Sequence, residues 1–507
     1  MVMTEALSLL SNGYVLFILG YAVLLILIGA LVGRRVTSAE GFFVAERRLG
    51  PALLFTTLTA ANLGAGSTVG VSALAWRHGL SAWWWIGSAG IGSMILAFWV
   101  GPRIWRLAVR HNLYTLSDWL DLRYGKAFRG LLSAMMAVGT LALFAGQLLG
   151  IAWILQVAAG VPTTVGVVAG AVVTTLYFAA GGLFSAAVVN LVEVAVILAG
   201  FAAALPFIWS FVGGWEGLTA KVGQNLAEAE RTDAYFSMGG MGTTAIVGYL
   251  VMLVPSFFIS PGLIGKVFGA RDERTIRWGT ALGGVVQLVF AVIPVFIGVA
   301  AFACFPDLSR ADLALPTAIK EMLPFSIATL SLAAIFAAEV STADAVLYML
   351  AGSITNDLYK RFLHPSLSDR GLLWGSRLVS LASGVAGVFL ALRLKSIISA
   401  LTIFYSLMSV SLAAPLVLGL LTSRASTAGA VLSAVLGVLL TLFCTFYSGA
   451  ATVNLGFGVL DTATHLVDVG FARLNATTCG ILLSFVAMGA ATLLMPARRS
   501  AGEHDPL

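Results

Sequence analysis

PALLFTTLTAANLGAGSTVGVSALAW, residues 51–76, decides how this 507-residue chain is read. The run is apolar and longer than the ~20 residues that a bilayer-spanning helix needs. Its middle, however, is small and polar: Thr59, Ala60, Ala61, Asn62, Gly64, Gly66, Ser67, Thr68 and Gly70. A continuous helix facing lipid has no use for Asn62 and three nearby glycines. A helix that breaks at mid-membrane does. The break frees backbone carbonyls, which are tolerated at that depth only beside protein or a water-filled cavity. Such carbonyls are good ligands for a small cation. The stretch therefore predicts a place where an ion and a solute bind.

The rest of the composition agrees. Hydrophobic residues make up 59% of the chain and charged residues 10%, with a mean hydropathy of +0.97. Soluble domains carry about 25% charged residues, so this is a polytopic membrane protein. Cys304, Cys444 and Cys479 sit in apolar segments at spacings that suit neither a metal site nor a disulfide framework. The net charge of +6 does not point to nucleic acid, because the cations fall in short loops. Nothing cationic precedes the first apolar run, so no cleavable signal peptide is expected.

Apolar run length gives about thirteen spans: Tyr14–Val32, Pro51–Trp76, Ser81–Ile104, Leu131–Ala159, Thr164–Ala180, Phe184–Val212, Met241–Ile264, Trp278–Phe305, Leu323–Ile354, Leu378–Leu392, Ile397–Leu421, Ala425–Tyr447 and Thr477–Leu494. The boundary at Gly181-Gly182 is the weakest. With the N-terminus outside, 21 of the 29 Lys and Arg fall on the inner side, Lys266 among them. That asymmetry favours an N-out, C-in chain with an odd number of spans. No polar stretch is long enough for a soluble domain. Gly213–Gly240 reads as an outer cap with a short amphipathic helix, SAEGFFVAERRLGP (38–51) as an interfacial segment or a plain basic loop, and the C-terminal tail as disordered.

Only three of the 23 Asp and Glu fall inside spans: Glu193, Glu339 and Asp344. A charge at the centre of a span costs about 2.5–3.5 kcal/mol, so each is a candidate functional residue. Glu339 and Asp344 flank a stripe in AAIFAAEVSTADAVL, residues 333–347, where Ala338, Ser341 and Thr342 share one helix face. Two hydroxyls and a carbonyl are oxygen ligands of the kind a hard cation takes. Ser and Thr at helix contacts also serve as plain packing glue. Opposite a broken helix, the ion reading gains.

These residues resemble the sodium:solute symporter family, whose members share the inverted-repeat fold of LeuT. FFVAERRLGP followed by TLTAANLGAGSTVGVSALAWRHGLSAWWW resembles the family's first core helix. TLSDWLDLRYG, GGLFSAAVVNLVEV, GARDERTIRWG and AAEVSTADAVL resemble its later motifs, in order, over about residues 40–425. The resemblance implies an all-α membrane protein: two inverted repeats of five helices, each with a broken first helix, plus one extra helix before and two after. The divisions would be 1–50, 51–212, 213–240, 241–421 and 422–507. It also implies sodium ligands at the carbonyls of Ala60, Leu63 and Ala338 and the hydroxyls of Ser341 and Thr342.

Two departures carry consequences. Asn190 stands where the family commonly has Asp, Glu193 where Gln is usual, and Ala345 where Ser is usual. Those positions serve a second sodium site in some members, so one Na⁺ per cycle is expected here. Glu339 replaces a usually apolar residue and, if buried, offers a route to proton coupling. Asn62, Ser67, Thr68, Gln147, Phe257, Phe258, Ser260 and Tyr405 are the candidates for lining a solute site. Sugar-transporting members carry Gln at the place of Ser67, which speaks against a sugar. No Lys or Arg falls plainly at mid-membrane to pair a carboxylate, although a half-helix N-terminus offers an anion an alternative.

The reading is a Na⁺-coupled symporter of a small organic solute, working by alternating access, multi-pass in the cell's inner membrane. Its partners are Na⁺, the solute and the bilayer, with no cofactor beyond the coupling ion. Proton-coupled symport through Glu339 or Glu193 is the alternative. A solute sensor ranks below both, since no kinase-sized segment follows Leu494. No nucleophile–base set, metal cluster or phosphate loop suggests an enzyme.

Overall fold

A computed structural model describes residues 12–33 and 38–494. Arg34, Arg35, Arg498, Arg499 and the C-terminal tail lie outside the described residues. The first helix, α1 (Gly13–Gly33), shows how the bundle is sealed. Ile18, Tyr21, Ala22 and Leu25 recur every three or four residues and are buried, whereas Leu16, Phe17, Leu24 and Leu27 are exposed. A helix that is apolar all round, yet buried on only one stripe, has lipid for its other face.

The next span is not one helix. It consists of α2 (Pro51–Asn62) and α3 (Val71–His78), joined by Leu63–Ala65 and a wide turn at Gly66–Gly70. α4 (Trp83–Ile95) returns across the bundle and continues through a second wide turn into Gly101–His111. A short helix, Leu116–Tyr124, leads into α5 (Lys126–Ala159).

The stretch Thr163–Val212, designated α6, is helical in both of its arms. Its ends nevertheless lie on one side of the molecule. Thr163 donates to Gln156 beside the end of α5, where Val157 accepts from Lys320. Trp209 packs on Phe296, on the helix whose end meets the same 305–322 connection. Mid-tract, Ser185 donates to the Gly29 carbonyl at the far end of α1. The tract therefore doubles back between its two arms.

A second interrupted span follows the helices Gly214–Leu226 and Ala229–Tyr235. It comprises α7 (Thr243–Ile259) and α8 (Pro261–Phe268). Pro261 forces the break: Ser260 ahead of it is extended (φ −53°, ψ 121°), and a residue before proline is biased away from the helix. Then come α9 (Glu273–Phe290), α10 (Val292–Cys304), α11 (Phe325–Ala351, extended by wide turns through Leu363), α12 (Asp369–Ala391), α13 (Ile397–Leu421) and α14 (Thr427–Phe446). A four-stranded antiparallel meander over 452–475 precedes α15 (Ala476–Leu494). α6 and α11 pack tightly, Ser331 donating to the Gly200 carbonyl at 2.9 Å. Small residues permit such approach inside a membrane.

Among the described residues, eleven helical tracts are long and apolar enough to cross a membrane, against the thirteen read from the sequence. The difference falls in two places. Pro51–Trp76 is split at the break into α2 and α3, neither of them long enough to cross alone, and Gly79 (φ 66°, ψ −144°) parts α3 from the returning α4. Thr164–Ala180 and Phe184–Val212 fall within the one helical stretch Thr163–Val212.

Two further readings change. Phe42 and Phe43 are not turned to an interface but buried, edge to face with each other, with Tyr348 donating its hydroxyl to the Phe43 carbonyl. Lys266, placed in an inner loop by the sequence, lies on α8 and is 1% exposed. Charge so close to a loop (GARDER) gave no sign that the helix extends past it.

Candidate functional site

The break between α2 and α3 explains its own composition. Once the helix stops, its last carbonyls need other donors. Ser67 supplies its hydroxyl to the Asn62 carbonyl at 2.7 Å, and Thr68 to the Gly64 carbonyl at 3.0 Å. The N–H of Ala65 goes to Gln147 Oε1 on α5 at 2.9 Å. Gly64 is required by close approach: a Cβ there would stand 2.3 Å from Thr342 Oγ1 and 2.7 Å from Gln147 Oε1.

The Ala60 carbonyl is served from another helix. Ser341 Oγ donates to it at 3.1 Å and Thr342 Oγ1 at 3.0 Å. Thr342 also approaches the Ala61 carbonyl at 3.3 Å, and Ser341 the Ala338 carbonyl at 3.1 Å. Four of the five expected ligand groups, on Ala60, Ala338, Ser341 and Thr342, thus meet within hydrogen-bond distance. Leu63, the fifth, is fully buried at the end of α2. The donor set is carbonyl and hydroxyl oxygen, which fits a hard monovalent cation. Two hydroxyls aimed at one carbonyl are groups that turn their lone pairs inward when such an ion arrives.

Two adjoining cavities flank this junction. One is lined by Asn62, Ser67, Trp85, Gln147, Phe257 and Tyr405, among others. Its neighbour shares Asn62, Phe257, Thr342 and Tyr405 and adds Ser260 and Met349. No Asp, Glu, Lys, Arg or His lines either. Thr342 belongs at once to the cavity wall and to the hydroxyl pair. Phe257 lies tilted against Tyr405 at 5.7 Å, and Trp85 stands edge-on to Tyr405 at 6.1 Å.

Asn62, Ser67, Gln147, Phe257, Ser260 and Tyr405 are therefore placed together. Thr68 and Phe258 are not: Thr68 turns to Glu339 Oε1 (3.1 Å), and Phe258 packs on Trp99. Trp85 was missed, being one of three consecutive tryptophans that gave no way to choose among them.

The buried acids separate into two places. Glu339 lies behind the hydroxyl pair against Gly150, with Thr68 on one oxygen and no partner on the other among the described residues. Glu193 and Asp344 belong with Asn190 and Lys266. Asn190 donates to Thr57 Oγ1 at 2.9 Å, while Lys266 donates to the Thr57 carbonyl at 2.9 Å and to its hydroxyl at 3.2 Å. Lys266 supplies the membrane-buried cation that the sequence reading did not find.

A second buried network closes one end of the bundle. The Arg129 guanidinium meets Asp118 at 2.7 Å, Asp121 at 3.2 Å and Asp357 at 2.9 Å. Thr115 and Asp118 form a reciprocal cap on Leu116–Tyr124, which fixes two of these partners.

The profile described as "Sodium:solute symporter family" matches residues 42–437. The chain is 26% identical to the sodium/pantothenate symporter of Escherichia coli (strain K12), covering 83% of this chain and 86% of that protein. It is 23% identical to the sodium/glucose cotransporter of Vibrio parahaemolyticus, covering 81% and 80%. Among solved structures, a Na⁺-coupled sialic acid symporter in a substrate-bound outward-open state superposes with a TM-score of 0.76 at 17% identity, covering 96% of this chain and 99% of that one.

Proposed function

This chain belongs to the sodium:solute symporter family, with a LeuT-like fold, and carries out Na⁺-coupled secondary transport of a small solute; from that premise we propose how its residues do so. Na⁺ binds between the break and α11, on the carbonyls of Ala60, Leu63 and Ala338 and the hydroxyls of Ser341 and Thr342. The solute occupies the adjoining cavities. One observation carries this reading: Thr342 contacts the Ala60 carbonyl on one side and the cavity on the other. An ion drawing that hydroxyl toward itself stiffens the break and finishes the cavity wall, so that each ligand favours the other's binding.

The solute is an uncharged organic molecule with an apolar face. An uncompensated charge in an enclosed site is costly, and the lining holds amides, hydroxyls and aromatic rings but no charge. Residues 51–212 and 241–421 act as the two repeats, and the N-terminus is outside, as the basic loops favour. Na⁺ and solute move inward together.

A thermal-shift screen of purified protein tests this assignment. Uncharged solutes are expected to raise the melting temperature in Na⁺ and not in choline. Stabilisation by carboxylates or organic cations alone, or by any solute equally without Na⁺, would contradict it.

A further inference from the structure

Lys266 has no part in the site just described, yet it is among the largest fully buried side chains. It rides on α8, the second half of the second interrupted span. Its ammonium holds Thr57 on α2, the first half of the first interrupted span, one turn before Ala60. It lies within electrostatic reach of Asp344 on α11 and Glu193 on α6. Both Glu193 oxygens and Asn190 Oδ1 are buried without a hydrogen-bond partner among the described residues. An ammonium has three donors, and the bonds to Thr57 do not use them all.

A buried carboxylate that stays ionised needs a cation near it. A mobile ion could fill that need, at the cost of stripping its water and losing its freedom on every cycle. A lysine held on a neighbouring helix brings the same charge already confined. We propose that Lys266 is a resident cation of this transporter, held by Thr57 within electrostatic reach of Glu193 and Asp344, beside Asn190 on the same threonine, where a second mobile cation would otherwise be required. Its grip on Thr57 ties α2 to α8, so the same ammonium registers the tilt of the half-helix that carries Ala60. Being tethered, it draws nothing from the ion gradient, and the chain needs a single Na⁺ per cycle.

The inference rests on the sodium reading of the Ala60–Ser341–Thr342 set, and the two fail separately. The test is equilibrium binding of ²²Na⁺ to the purified full-length protein. Wild type is expected to bind one Na⁺ per chain, Lys266→Arg one, and Lys266→Ala two, the second ion entering the vacated cluster. The triple variant Lys266→Ala, Glu193→Gln, Asp344→Asn, with the charges removed together, is expected to return to one. If Lys266→Ala binds a single Na⁺, the inference is overturned. Should Lys266→Ala fail to fold, a folded triple variant binding one Na⁺ supports the charge-balancing role. A triple variant that also fails to fold assigns the lysine to packing on Thr57 and overturns it. Ser341→Ala is the control for the underlying reading: it is expected to bind none, and if it binds one the sodium assignment falls without deciding the role of Lys266.

Discussion

Thr342 Oγ1 lies 3.0 Å from the Ala60 carbonyl oxygen, across the junction between the middle of α11 and the end of α2. The residues are 282 apart in sequence, and each belongs to a helix whose regular bonding leaves the other's group free. Ala60 has an available carbonyl because the helix stops at Asn62. Thr342 has an available hydroxyl because it faces that stop. The proposed ion and solute sites adjoin at this pair.

Gly64 guards the same junction. Its missing Cβ leaves room for both Thr342 and Gln147. Gly64→Ala pushes the break away from α11, and overpacking of this kind costs about 1–3 kcal/mol. The variant is expected to show a lower melting temperature and at least a tenfold weaker Na⁺ dependence of uptake. Sodium activation equal to wild type would show that the approach does not matter.

Arg129 gathers Asp118, Asp121 and Asp357 with its side chain 7% exposed. Removing one partner from a buried ion cluster leaves charge uncompensated, at about 3–5 kcal/mol. Arg129→Ala is expected to lower stability by that order and to loosen this end of the bundle. Labelling of a cysteine introduced at Ser117 by a thiol reagent is expected to accelerate in that background. An unchanged melting temperature and labelling rate would remove the network from the account.

Asp272 caps α9, accepting the Thr275 N–H at 2.7 Å. That backbone bond holds its carboxyl below the ordinary range near 4. A depressed folded-state pKa contributes stability that is present above the unfolded value and lost as pH falls through the folded one. The stability gap between wild type and Asp272→Ala, about 1 kcal/mol for a lost cap, is therefore expected at pH 7 and to close below pH 4. A gap constant from pH 7 to 3 would assign it to something other than the carboxylate.

Much of the site was legible because a broken helix must be written in residues that repair it. Ser67 and Thr68 sit past the end of α2, five residues after Asn62 and four after Gly64, where their hydroxyls reach the freed carbonyls of those two residues. The Ser341–Thr342 stripe stood out because hydroxyls at helical spacing are conspicuous in an apolar span. Lys266 was hidden for the opposite reason: a charge two residues inside the end of a helix looks like the loop beside it. Arg129 and Asp357 are 228 residues apart, and only packing brings them together. The meander was also out of reach, since three-residue strands such as Val459–Asp461 and Leu466–Asp468 are too short to show alternation. Leu460 and Val467 become its core only by pairing, packed with Cys444 and Cys479.

The most direct test of the central claim is the thermal stability of purified protein titrated with Na⁺ at constant ionic strength, for wild type and for Ser341→Ala with Thr342→Ala. An ion bound only by the folded state stabilises by RT ln(1 + [Na⁺]/Kd). Wild type is expected to climb along that curve with Na⁺ replacing choline, while the double variant stays flat. A double variant that climbs as wild type does would contradict the placement of the ion at this junction.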